Sequence, residues 1–184
     1  MIKISDKSIC CGCGACENIC PKHCIGMEPD DEGFLYPVIN VDECINCGLC
    51  QKACPELNVN PDFPSQQQFY VVQIKDDKIR SESTSGGAFT PIAEYVIKKG
   101  GVVFGAAFID KIDFEVTHQY VETINELRIF RSSKYVQSKM GFAYKKVKEF
   151  LDDERMVCFS GTPCQVEGLY SFLECEYKNL ITVD

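Results

Sequence analysis

Cys10-Cys11-Gly12-Cys13-Gly14-Ala15-Cys16-Glu17-Asn18-Ile19-Cys20-Pro21 and Cys44-Ile45-Asn46-Cys47-Gly48-Leu49-Cys50-Gln51-Lys52-Ala53-Cys54-Pro55 decide the reading of this chain. Both spell C-x2-C-x2-C-x3-C-P, and every cysteine of the first recurs 34 residues later among the motif positions. A duplicated unit whose repeat is visible in thiols marks a metal-binding head. Three thiolates two residues apart can wrap one cluster while small residues let backbone N–H groups approach its sulfides. The fourth cysteine, three residues on and followed by proline, leads away from that loop.

The run is the bacterial-ferredoxin spacing, in which the fourth cysteine ligates the other cluster. Crossed ligation gives one [4Fe-4S] cluster to Cys10, Cys13, Cys16 and Cys54, and the other to Cys44, Cys47, Cys50 and Cys20. Zinc ribbons also begin with C-x2-C, but zinc asks for about four ligands and gives no reason for the doubled set or for either proline. Cys11 and Cys24 are left over, read as small buried fillers in preference to spare thiols. His23 reads as a polar loop residue. Ile25–Met27 and Gly33–Ile39 read as short strands around the Asp30-Asp31-Glu32-Gly33 turn.

Outside the head the composition is ordinary. The chain has 184 residues, 13 of them cysteine, a 45% hydrophobic fraction and a formal charge of −8. The start has no apolar run of signal-peptide length and no later stretch is long enough to span a membrane, so the expected location is cytoplasmic, where thiols stay reduced. The acidic excess concentrates in the head. It speaks against nucleic acid and suits a redox partner protein or subunit with a basic face, or equally an acidic solvated surface that only keeps the protein soluble.

The domains are read as 1–58 for the head, 59–68 for a Pro- and Gln-bearing linker, and 69–184 for the body. In the body Phe69–Ile74 reads as a strand, Phe89–Lys99 as a helix, Gly101–Phe108 as a buried strand and Phe114–Val121 as another strand. Thr123–Arg131 reads as a short helix, and Ala143–Asp152 as a helix with Ala143, Val147, Phe150 and Leu151 on its apolar face. Arg155–Phe159, Thr162–Leu173 and Leu180–Val183 follow as strand, helix and strand. The expected fold is an α+β ferredoxin-like domain for two [4Fe-4S] clusters, followed by an α/β domain that is incomplete.

Two strand-to-helix junctions carry chemistry. Ser83-Thr84-Ser85-Gly86-Gly87-Ala88 combines hydroxyls and glycines at a helix start, which suits a phosphate and equally suits a plain cap with a tight turn. In Ser160-Gly161-Thr162-Pro163-Cys164-Gln165, Thr162 is a good N-cap and Pro163 a good first helical residue. Cys164 then lies in the first turn, where the helix dipole lowers a thiol's pKa; it reads as a metal ligand before a nucleophile, with an inert capped cysteine as the alternative. Cys158 and Cys175 read as core fillers.

Taken together, these strings resemble the beta subunits of coenzyme F420-reducing hydrogenases and dehydrogenases and their bacterial relatives. The resemblance rests on the double cysteine run, Gly33-Phe34-Leu35-Tyr36-Pro37, Ser85-Gly86-Gly87-Ala88-Phe89, Ser133-Lys134-Tyr135-Val136-Gln137-Ser138 and Phe159 to Leu169. It implies an oxidoreductase in which FAD exchanges hydride with a deazaflavin or another organic partner and single electrons with the clusters. It implies that Ser85, Gly86, Gly87, Ser133 and Lys134 lie along the FAD. It further implies that Cys164 ligates a third [4Fe-4S] cluster, completed by a second half that relatives carry beyond Leu180–Asp184. The competing reading is a ferredoxin-type electron carrier with no catalysis of its own.

Overall fold

The computed structural model describes residues 2, 7–58, 67–109 and 115–184. Residues 59–66 of the expected 59–68 linker and the start of the Phe114 strand lie outside the described residues. In the head, β1 (Ile25–Pro29) and β2 (Leu35–Ile39) pair antiparallel, with Ile25 opposite Ile39 and Pro29 opposite Leu35. The turn is set by Asp30, whose Oδ1 accepts from the amides of Glu32 (3.0 Å) and Phe34 (3.1 Å). Each cysteine run also ends in a short helix, α1 (Ala15–Ile19) and α2 (Leu49–Lys52). Both start at a left-handed glycine, Gly14 at φ 75° and Gly48 at φ 80°, a conformation that costs other residues roughly 1–2 kcal/mol.

The body opens with α3 (Asp77–Ser81), capped by Asp76, whose Oδ1 accepts from Lys78 N and Ile79 N. Next come α4 (Phe89–Lys98), β3 (Val102–Phe108), β4 (Val116–Val121) and a 3-10 helix (Ile124–Phe130). The chain continues through α5 (Ala143–Asp152), β5 (Val157–Ser160), α6 (Pro163–Leu173) and β6 (Leu180–Val183). The sheet order is β4-β3-β5-β6, with β4 antiparallel to β3 and the others parallel. Alternation along β3 feeds two cores. Val102 and Phe104 pack with Tyr144, Val147, Val157, Phe159 and Leu169 under α5 and α6, while Val103 and Ala107 pack with Ala93, Val96, Leu127 and Phe130 under α4 and the 3-10 helix. Each such buried aliphatic or aromatic side chain contributes about 1.5–3 kcal/mol.

The head is not a free appendage. Cys13 and Ala15 of the first run belong to the α5/α6 core. That docking explains why Tyr144, absent from the expected apolar face of α5, is fully buried: its hydroxyl lies 2.8 Å from both Cys13 O and Gln165 O. Phe150 sits at the rim instead, edge-on to Tyr120 and Phe104.

Two expectations need correction. Phe69–Ile74 forms no ladder among the described residues; Phe69, Tyr70 and Val71 are exposed, and Ile74 N donates to Gly86 O at 2.8 Å. β-branched and aromatic residues favour a pleated, half-buried surface, and among the described residues no strand pairs with them. Cys175 is exposed, beyond the left-handed cap of α6 at Glu174, where Cys158 is fully buried as expected.

Candidate metal centres

The backbone brings the crossed sets of thiols together. One cavity is lined by Cys10, Cys13, Cys16 and Cys54, with Cys11, Ile2 and Met27 among its other walls. A second is lined by Cys20, Cys44, Cys47 and Cys50, with Cys24, Ile25 and Ile39 around it. Among the described residues no three His, Cys, Asp or Glu side chains converge on a single-ion site; the thiols ring cavities instead. Burial first, and then the neighbouring Cys10 thiol, push Cys16 up to about 12. A thiolate there requires a compensating cation, and cluster iron is the cation that inverts this logic. Cys24 is buried as expected, its sulfur 3.5 Å from Cys20 Sγ.

Equivalent positions in the two runs have opposite surroundings. Cys13 is buried and Cys47 exposed. A Cβ on Gly14 would meet Met140 Cβ at 2.9 Å, whereas one on Gly48 meets nothing within 4 Å. Gly12 is closed in by the Gln137 side chain, while its counterpart Asn46 is exposed. Asn18 is buried and donates to Gly141 O, while its counterpart Lys52 reaches from the surface to Glu174 at 2.6 Å. Cys11, half-buried, corresponds to Ile45, which is 58% exposed.

Between the first run and the body lies a cleft of about 950 Å³. Cys10, Cys11, Ser133, Lys134, Ser138, Thr162 and Cys164 are on its walls. Cys164 lies 3.2 Å from Thr162 Oγ1, but its thiol is pushed well up, first by a hydrogen bond shared with Cys11 and then by burial. The expected lowering by the helix dipole is outweighed. Sequence separation hid the Cys11–Cys164 contact, because the head and α6 meet only in the fold.

The expected anion turn sits at the edge. Ser133 N donates to Thr84 Oγ1 at 3.1 Å, which joins that turn to the 133–134 loop. Ser85 (φ 57°) and Gly87 (φ 70°) are left-handed, and the Val72 carbonyl occupies the place of a Gly86 Cβ. Both conformation and close approach ask for glycine at this tight turn. No side chain caps α4. Lys134 Nζ donates to the carbonyls of Ile129, Arg131 and Ser132 at 3.0, 3.0 and 3.1 Å, so all three of its protons close off the 3-10 helix.

Beneath the cleft runs a polar chain that the sequence did not reveal. Thr162 N donates to Gln165 Oε1 (2.9 Å), and Gln165 Nε2 donates to Ser138 Oγ (2.9 Å). His118 Nε2 faces Ser160 O at 3.0 Å and must carry the proton, because a carbonyl only accepts. Nδ1 therefore accepts from the Ser138 hydroxyl, also at 3.0 Å. Burial lowers His118 to about 4, and its ring stacks on Phe159 at 5.3 Å. The Thr162 cap was legible; its Gln165 partner, β4 and residue 138 converge only in the fold.

Residues 9–58 match the 4Fe-4S dicluster domain family. No curated protein matches the chain. The head is thus a dicluster domain, which implies two [4Fe-4S] clusters and suggests electron transfer. Among the described residues no helix is long and apolar enough to cross a membrane.

Proposed function

We propose that the chain passes single electrons between its two clusters and an FAD held in the cleft, as part of a flavin-dependent oxidoreductase. The carrying observation is the cleft itself, whose wall includes Cys10 and Cys11 of the first run and whose volume of about 950 Å³ is that of a large cofactor site. Cys10, Cys13, Cys16 and Cys54 hold the cluster beside it; Cys20, Cys44, Cys47 and Cys50 hold the outer one. FAD supplies the ability to exchange both a hydride and single electrons.

This chain's own residues set the cofactor's surroundings. Ser133 and Lys134 line the cleft, and Thr84 fastens the Ser85–Gly87 turn behind them, so a phosphate would lie along this edge and share the Lys134 ammonium with its three carbonyls. Phe89 and Phe130 give the wall apolar area. Cys164, with Cys11 as its neighbour, supplies a thiol for a further cluster ligand set. Coenzyme F420 or another organic acceptor would be the hydride partner.

Titration of FAD into the anaerobically reconstituted chain tests this. Flavin bands that stay with the protein and fade on reduction are expected, and weaken on Gly86→Val or Lys134→Ala. A chain that shows cluster absorption alone, with no retained flavin, is a ferredoxin-type carrier instead.

A further inference from the structure

We propose that the surface of the second cysteine run is the port through which electrons enter or leave, and that it docks a one-electron carrier protein with a basic face. The first run is walled in by Met140, Gln137, Tyr144 and α6, so no protein partner can approach it from that side. The second run is open: Cys47 is exposed, and Gly48 has open space where a side chain would be. Short separation from the surface is what an encounter with a protein carrier demands.

The patch has the make-up of a weak redox interface. Val41 and Ile45, 62% and 58% exposed, flank Cys44. Asp42 and Glu43 are exposed beside them, and Lys22 lies on the wall of the second cavity. Four thiolates around the cluster add negative charge. Across residues 7–58 there are eight acidic and three basic side chains, so the long-range field of the head points the same way. Apolar centre, acidic rim and net negative charge together select a partner whose one-electron centre is ringed by Lys or Arg. In the step itself one electron leaves the reduced cluster and one enters the partner, with no bond made and no proton moved. The proposal rests on the two-cluster head and not on the flavin reading.

Stopped-flow oxidation of the dithionite-reduced, reconstituted chain by cytochrome c, a basic haem protein, tests it, with iron counted in every variant beforehand so that a lost cluster is recognised as such. The wild-type rate is expected to fall at least about tenfold from low to high salt. Asp42→Lys with Glu43→Lys should lower the low-salt rate about tenfold, and Val41→Lys should lower it too with iron retained, whereas Asp153→Lys with Glu154→Lys on the body changes it by less than about twofold. Equal effects of the two acidic pairs, or none from the first, would overturn the proposal. So would a homodimer broken by Val41→Lys, since that face would then belong to a second copy.

Discussion

The two cysteine runs are nearly the same sentence written twice, yet one is inside the molecule and the other outside. Gly14 and Gly48 begin their helices at φ 75° and 80°, and only the first touches the body. Duplication therefore conserves what the cluster needs, namely spacing and left-handed glycines. It leaves free what faces outward, and those outward positions have diverged into a docking seam (Cys11, Asn18) and a solvent surface (Ile45, Lys52). With the proposed docking face and cleft, the difference would give the pair of clusters a direction, from the open face toward the cleft.

The largest effect expected separates the two runs at their equivalent second thiols. Serine at Cys47 should reduce bound iron from about eight to about four per chain and leave the body folded. Serine at Cys13 should lose the same iron and also loosen the α5/α6 core to which Cys13 belongs, seen as a larger drop in Tm. Equal drops in Tm would dissolve the distinction.

Beneath the docked side, His118 should make stability depend on pH. Its folded pKa is about 4, below the ordinary 6.5, so the unfolded chain binds this proton first. The contribution is fully present above about pH 6.5 and is lost as pH falls toward 4, on the order of 3 kcal/mol in all. The wild-type minus His118→Gln difference in Tm should therefore shrink between pH 7.5 and pH 5; a constant difference would contradict it.

Alanine at Gly14 and Gly48 carries a similar left-handed penalty, about 1–2 kcal/mol. Gly14→Ala also drives a methyl against Met140 Cβ, adding about 1–3 kcal/mol of overpacking. Guanidinium unfolding of the cluster-loaded proteins measures the gap. Smallest is Tyr144→Phe, which removes one donor to Cys13 O and Gln165 O and should cost about 1 kcal/mol. A gap near zero in the first comparison, or no change in the second, would mean that the seam carries little of the stability.

The head was legible because ligand spacing is a local property, and its strands and Asp30 turn followed from residues a few positions apart. Helices α4, α5 and α6 and strands β3, β5 and β6 were legible from periodicity and from the Thr162-Pro163 cap. What required the fold were the contacts of long separation: Tyr144 with Cys13, Cys11 with Cys164, and His118 with Ser138. Phe69–Ile74 shows the opposite failure, a segment with strand composition that pairs with no strand among the described residues. Lys134 adds another contact hidden from the sequence, since the three carbonyls around its ammonium come together only in the loop's fold.

The doubled motif itself is tested most directly by iron and sulfide analysis with Mössbauer spectroscopy of the anaerobically reconstituted chain. About eight irons and as many sulfides, all in [4Fe-4S] form, are expected from two crossed sets of four thiols. About four irons, or a colourless chain that holds zinc in their place, would contradict it.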